Sequence, residues 1–220
     1  MGAQRVARSP SRARGAARSL AALTLAAVVG GCGSGGAAGG RRRAAPALGS
    51  GIPARLAAEA RPIGEGAQFH PGVTGPPLGA CRSPLGPRVG IHLELFAANR
   101  VVLVPAGIGA RRPLRHSAGR ISGAGCFGEL TTLEPTGVVL VRPGARLRVA
   151  DVFRSWGQPL SARRLATFTA PGGSRVAAFV NGDRWSGSPS SIPLTRHAEI
   201  VLEVGPYVPP HASYRFPPGS

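Results

Sequence analysis

The chain has 220 residues, with 27 basic and 9 acidic side chains and a net charge of +18. Its 33 glycines and 22 prolines indicate low-complexity segments around a smaller folded part. A hydrophobic fraction of 43% excludes a wholly disordered chain, and an aromatic fraction of 5% excludes a large aromatic stacking surface. All the basic residues are arginine. That bias across the whole chain, without a nucleic-acid-binding motif, does not predict a nucleic-acid partner.

The N-terminus has the features of an export signal. Arginines within residues 5–18 precede an apolar run at residues 20–29, which would extend only about 15 Å as a helix and so could not comfortably span a bilayer. The run ends in Val29-Gly30-Gly31-Cys32. This sequence resembles the lipobox of bacterial lipoprotein signal peptides, in which the cysteine is lipidated and becomes the new N-terminus. The resemblance implies a signal peptide over residues 1–31, a lipid on Cys32 and a location on the extracytoplasmic face of the cell membrane. An uncleaved anchor and ordinary secretory cleavage further along are the alternatives.

Residues 32–87 are predicted to be a flexible tether. The glycine-rich stretch 33–40 has the composition of a flexible coil, and repeated prolines interrupt any helix beyond it. Arg41, Arg42 and Arg43 could attract anionic lipid headgroups, by about 1 kcal/mol per charge near the surface. The same triplet could equally be a solvated charge run.

Residues 88–206 are predicted to form one α+β domain. Residues 91–96 alternate between apolar and polar side chains and pair with residues 101–104 as a hairpin. An arginine-rich loop is expected over residues 105–120. Two more strands are expected at 127–132 and 138–141.

The second half of the domain begins with a helix. Val149, Val152, Phe153 and Trp156 line one helical face, and Gly157 occupies the C-terminal cap position. Strands are expected at residues 176–180 and 199–204, joined through the Asn181-Gly182 turn. On the last strand, Glu199 and Glu203 are expected to lie on a solvated face. Residues 207–220 are expected to be a proline-rich extended tail.

This order of elements predicts one small mixed sheet with a single packed helix. The chain from Phe179-Val180-Asn181-Gly182 through residues 194–200 is similar to the closing half of ubiquitin-like β-grasp domains. That resemblance implies a β-grasp-like fold.

A broader resemblance covers most of residues 81–204. It rests on His92-Leu93-Glu94-Leu95-Phe96, Val104-Pro105-Ala106-Gly107-Ile108-Gly109, Cys126 followed by Pro135-Thr136-Gly137, Trp156-Gly157-Gln158-Pro159-Leu160, Val180-Asn181-Gly182, and Ile192-Pro193-Leu194-Thr195-Arg196-His197-Ala198. These motifs resemble an uncharacterised family of secreted or membrane-attached bacterial proteins. That family typically carries H-x-H on the first strand and a later H-T-H-D…S-G-x-x-H pattern, which suits zinc or copper.

This chain departs from the family pattern at most of the histidines. Gly90, the stretch 130–134 and Leu140 stand where the family has them, which leaves His92 and His197 as candidate metal ligands. Cys81 and Cys126 are the cysteines that remain once Cys32 is assigned to lipid. In an oxidising compartment they are expected to form a disulfide, with free thiols or soft metal ligands as alternatives.

No catalytic motif of the G-x-S-x-G, H-E-x-x-H or P-loop type occurs in the sequence. The leading prediction is therefore a lipid-anchored extracytoplasmic protein with a non-catalytic binding or scaffolding domain and no cofactor. The alternative is an extracytoplasmic copper or zinc protein using His92 and His197, with Cys81 or Cys126 as thiolates. An unrecognised enzyme is the third hypothesis.

Overall fold

The computed structural model describes residues 60–219. The predicted signal peptide over residues 1–31, Cys32, and the arginine triplet at residues 41–43 lie outside the described residues. Within the described part of the chain, no helix is long and apolar enough to cross a membrane.

A mixed sheet forms the centre of the fold. The strands are β1 (Val89–Ala97), β2 (Arg100–Val101), β3 (Ala110–Ser117), β4 (Arg120–Phe127), β5 (Leu130–Thr131), β6 (Val138–Val141), β7 (Leu160–Ser161), β8 (Arg164–Leu165), β9 (Phe168–Thr169), β10 (Ala177–Val180), β11 (Asp183–Arg184) and β12 (Glu199–Val204). The strand order is β11-β10-β12-β1-β6-β5, with β2 paired to β1. Strands β1 and β12 are parallel and the other neighbours are antiparallel. The α+β class with a mixed sheet is thus confirmed.

The helix α1 (Val149–Trp156) packs on one face of the sheet, here called the first face. It begins where the Asp151 carboxylate accepts a hydrogen bond from the Arg148 backbone N–H, and it ends at Gly157 with φ 81°. Its apolar stripe is buried as predicted and belongs to the same core cluster as alternate residues of β1, namely Ile91, Leu93 and Leu95. Each such side chain stabilises the fold by about 1.5–3 kcal/mol relative to exposure.

The arginine-rich stretch predicted as a loop is largely a β-hairpin. Strands β3 and β4 pair with each other as a two-stranded sheet of their own. The residues of β3 that follow Ala110 are exposed, except for Leu114, which is half-buried. Without alternating burial, the sequence carries no period-two hydrophobic signal, so the strand could not be recognised.

Residues 60–87, predicted to be part of the tether, instead pack on the domain. Phe69 is buried in the main core. The Trp156 indole N–H donates a hydrogen bond of 3.1 Å to the Pro71 carbonyl. The backbone N–H groups of Thr74 and Gly75 donate to the Trp156 carbonyl at the end of α1. Prolines and glycines give this segment no periodicity, and hydrogen bonds to the domain hold it in place.

The Cys81–Cys126 disulfide predicted from the sequence is present, with the two Cα atoms 5.3 Å apart. It joins the proline-rich segment to the end of β4. Because both sulfur atoms are bonded to each other, neither cysteine can serve as a thiolate metal ligand. That part of the metal hypothesis is wrong.

Candidate functional site

The second face of the sheet, opposite α1, contains buried acids. On β12, Glu199 is 1% exposed and Glu203 is 3% exposed. The sequence-based expectation of a solvated face is therefore wrong. On β1, His92 and Glu94 point to this same face, since they alternate with the core residues of that strand.

The C-terminal segment (residues 205–219) buries this second face. Val208 packs in a small apolar cluster with Phe96, Phe179 and Val201. Further along, the Tyr214 ring stacks on the His92 imidazole with centroids 3.7 Å apart. The predicted extended tail is therefore a cover over the sheet, and it explains why acids on β12 are shielded from water.

Three side chains beneath this cover form a compact group, here called the His–Glu cluster: His92, Glu94 and Glu199. Their potential ligand atoms all lie within 4.8 Å of one another. His92 Nδ1 is 2.8 Å from Glu199 Oε2 and 4.0 Å from Glu94 Oε1. On its outer side, Glu94 Oε2 is 2.8 Å from Nδ1 of His211 in the C-terminal segment.

The hydrogen bonds of His92 fix its ring orientation. Nε2 lies 2.9 Å from the Thr136 carbonyl oxygen, which only accepts, so Nε2 carries a proton and donates it. Nδ1 then shares a proton with the Glu199 carboxyl group. Burial raises the pKa of Glu199, while the hydrogen bond and charge of His92 oppose that rise.

A glycine makes the approach of the His92 ring possible. A Cβ atom at Gly137 would lie 3.0 Å from His92 Nε2 and 2.6 Å from the Leu93 carbonyl oxygen. Gly137 also has φ 80°, which favours glycine. The Pro135-Thr136-Gly137 turn therefore presents the carbonyl that orients His92.

Other buried polar atoms on this face have no hydrogen-bond partner. They include Thr131 Oγ1 on β5 and Glu203 Oε1 on β12. The other Glu203 oxygen accepts a bond from the Val208 N–H at 3.4 Å. Burial raises the pKa of Glu203, and this hydrogen bond and the charge of Arg184 lower it to a smaller extent.

His197, the second predicted ligand, does not belong to the cluster. It lies in the turn before β12 with φ 61°, and its ring stacks on Phe216 at 4.6 Å. Gly90 and Leu140, at which a metal ligand was considered from the sequence, lie opposite each other on β1 and β6 and carry no ligand side chain.

Sequence reasoning missed three residues of this site: Glu94, Glu199 and His211. The spacing His92-x-Glu94 on one predicted strand could have identified Glu94, because alternate residues of a strand point to the same face. The parallel pairing of β1 with β12, which sets Glu199 opposite His92, joins residues far apart in the chain. His211 lies in a proline-rich stretch without any period.

Comparison with family models, with curated proteins and with solved structures finds no match for this chain. The function must therefore be inferred from the chemistry of the site itself.

Proposed function

We propose that this chain is a non-catalytic binding domain of an exported, lipid-anchored protein, and that its ligand is a divalent zinc or copper ion held by the His–Glu cluster. The observation that carries the proposal is the convergence of His92, Glu94 and Glu199 within 4.8 Å beneath the C-terminal segment. One imidazole and two carboxylates supply nitrogen and oxygen ligands, and the two negative charges balance a divalent cation.

The spacing of these atoms suits a transition metal. Ligand atoms bound to tetrahedral zinc at about 2.0–2.1 Å lie about 3.3 Å from one another. The distances from His92 Nδ1 to Glu199 and Glu94 are 2.8 and 4.0 Å. A metal ion would thus fit after small side-chain movements. Calcium fits less well, since it takes about six to eight oxygen ligands.

The surroundings of the cluster also suit a metal site. Metal-binding histidines commonly donate their second ring N–H to a backbone carbonyl, as His92 Nε2 does to Thr136. The Glu94 carboxylate is likewise held from outside by His211. These contacts orient the first two ligands before any ion binds, which lowers the entropy cost of binding.

Burial supports a binding role over a catalytic one. His92 is 5% exposed and Glu199 is 1% exposed, and the Tyr214 ring covers the imidazole. Three protein ligands leave a fourth coordination position, as in catalytic zinc sites. Here the stacked Tyr214 ring lies over the imidazole, and of the three ligands only Glu94 has a partly exposed side chain, at 20%, so the approach of a substrate is restricted.

The fold and location belong to the same proposal. The central parallel pair β1–β12, flanked by β6 and β10, with α1 between β6 and β10 in the chain, supports a β-grasp-like fold. The lipobox-like sequence at Cys32 supports attachment to the extracytoplasmic membrane face. The arginines at 41–43 would add attraction to anionic lipids, and the remaining part of the predicted tether, residues 32–59, would join the lipid to the domain.

Titration of the full chain, purified without a chelating tag, with zinc and with copper tests the metal proposal. We expect one ion per chain, loss of binding in His92→Gln, and affinity lower by about 10–100-fold in His211→Ala, since His211 only positions Glu94. His197→Ala is the matched control and should bind as the parent does. Absence of binding, or loss in His197→Ala with retention in His92→Gln, would overturn the proposal.

A further inference from the structure

A cavity of about 460 Å³ lies between the β3–β4 hairpin and the proline-rich segment that the disulfide joins to it. Residues 83–85 form one side of the cavity, and residues of β3 and β4 form most of the other. The two sides are held together, because Arg82 and Phe127 exchange two backbone hydrogen bonds of 2.9 and 2.8 Å beside the disulfide. The cavity is therefore preformed, and its volume is within the range of ligand pockets, about 300–1,000 Å³.

Arg115 of β3 brings a positive charge to the wall of this cavity. The residue is exposed, and its guanidinium lies over Gly123 of β4, where a Cβ atom would be only 2.8 Å from the guanidinium carbon. None of the hydrogen bonds and ion pairs formed within residues 60–219 involves this guanidinium. Because Gly123 has no side chain, the Arg115 guanidinium packs at the cavity with all its donors unused and accessible to a ligand.

The rest of the polar wall also consists of donors. Arg120, Ser117 and Ser122 line the cavity, and all three residues are exposed. Arg120 Nε lies 3.1 Å from Glu134 Oε1, so Glu134 offsets part of the Arg120 charge, whereas Arg115 has no acidic partner among the described residues. The residues that line the cavity include no acid. Its wall thus offers two guanidinium groups and two hydroxyls to an anion.

The floor of the cavity is apolar. It is formed by side chains of one apolar cluster, namely Leu85, Ile121, Phe127 and Leu133. An inorganic anion alone would leave this floor against water. A ligand with a short hydrocarbon body would cover it and gain about 25 cal/mol per Å² of apolar surface buried.

We propose that this cavity binds a phosphate ester with a short alkyl body, with the phosphate on Arg115 and Arg120 and the alkyl chain on the apolar floor. A carboxylate has two oxygens and can occupy one guanidinium, whereas a phosphate ester presents three oxygens and carries more charge. The phosphate therefore matches a wall with two guanidinium groups and two hydroxyls. None of the three residues of the His–Glu cluster lines the cavity, so this site is independent of the proposed metal binding.

Calorimetric titration with hexyl phosphate, 1-hexanol, inorganic phosphate and hexanoate tests the ligand class. The full chain carrying Cys32→Ser is used, because it lacks the proposed lipid and needs no detergent that would absorb the probes. We expect hexyl phosphate to bind about tenfold or more tightly than hexanol and inorganic phosphate, since each of these matches only half of the site. It should also bind more tightly than hexanoate.

Each probe can contradict one part of the proposal. Equal affinity for hexanol would exclude a role for the arginines, and equal affinity for inorganic phosphate would exclude the apolar floor. Hexanoate binding as tightly as hexyl phosphate would exclude the preference for phosphate. A chain that binds none of the four probes would contradict the site.

Three variants locate the binding. Arg115→Gln should lower hexyl phosphate affinity about tenfold or more through loss of a charge-assisted contact. Arg111→Gln is the matched control, because it removes the same charge from an exposed position of the same strand outside the cavity. Gly123→Ala keeps the charge but displaces the guanidinium, and it should also weaken binding. Parent affinity in both Arg115→Gln and Gly123→Ala would overturn the proposal.

A phosphate ester of this kind occurs in a membrane phospholipid and in a soluble metabolite, and vesicles distinguish the two sources. If the ligand is a membrane lipid, Arg115→Gln should sediment with phosphatidylglycerol vesicles less than Arg111→Gln does, and hexyl phosphate should release the parent from them. If it is a soluble ester, the two variants should sediment equally and hexyl phosphate should release neither. Both sources require that hexyl phosphate binding depends on Arg115, and its absence would overturn the proposal for either source.

Discussion

His92 and Glu199 lie opposite each other on the two parallel central strands, and both are buried. The Nδ1–Oε2 distance is 2.8 Å. Because both side chains are buried, water cannot take the place of either hydrogen-bond partner. Removal of one member therefore leaves a buried ionisable group without its hydrogen bond, and this dependence can be measured.

A double-mutant cycle on this pair should be strongly non-additive. We expect His92→Leu to lower the free energy of unfolding by about 3–5 kcal/mol, because it leaves Glu199 buried and unpaired. The double variant His92→Leu/Glu199→Leu should be more stable than this single variant. Urea unfolding in the presence of a chelator measures both without any metal contribution. Additive losses would show that the pair does not interact as its geometry implies.

Glu203 should make the protein less stable as pH rises. Burial raises its pKa in the folded state, so the folded chain keeps a proton that the unfolded chain has lost. The free energy of unfolding therefore falls as pH rises from the ordinary glutamate pKa, about 4.3, through the raised folded value. Glu203→Gln should remove this part of the slope and be more stable than the parent at neutral pH.

Urea unfolding at several pH values between 4 and 8 checks the Glu203 prediction. Glu65→Gln, which removes one carboxyl group at an exposed position, is the matched control. A Glu203→Gln chain with the parent's slope and the parent's stability at neutral pH would contradict the prediction.

Gly75 tests whether residues 60–87 belong to the folded unit. A Cβ atom there would lie 2.3 Å from the Arg154 carbonyl oxygen and 2.6 Å from the Gly157 nitrogen, both backbone atoms. We expect Gly75→Ala to lower the free energy of unfolding by about 1–3 kcal/mol through this overpacking. The matched control is Gly72→Ala, where a Cβ atom meets nothing within 4 Å. Equal stability of the two variants would indicate that the segment does not pack on α1.

Cys32 tests the membrane attachment. The parent expressed in a bacterium with lipoprotein processing should partition into the detergent phase, because the lipid supplies a hydrocarbon anchor. Cys32→Ser should move to the aqueous phase or remain as an unprocessed precursor with a larger mass. Detergent partitioning of a correctly cleaved Cys32→Ser chain would show that lipidation is not the anchor.

The parts of the fold that the sequence predicts are those with a clear hydrophobic period. The stripe of Val149, Val152, Phe153 and Trp156 predicts α1, and alternation around His92 predicts β1. Strand β3 carries exposed arginines on both faces, and residues 60–87 contain many prolines, so neither segment offers a period to recognise.

The site is harder to predict than the fold because it depends on distant pairing. His92 could be identified as a candidate ligand, but its partner Glu199 is separated from it by 107 positions and is brought near by the β1–β12 register. Burial of the acids on β12 results from the C-terminal segment. The predicted extended tail gave no indication that it would cover the sheet.

Anomalous diffraction at the zinc edge from crystals of the zinc-loaded chain shows whether the His–Glu cluster holds a metal ion. We expect one strong peak about 2.0–2.1 Å from His92 Nδ1 and from a carboxylate oxygen of Glu199. A zinc-loaded crystal with no peak at this cluster, or with its peak at His197, would rule out the proposed site.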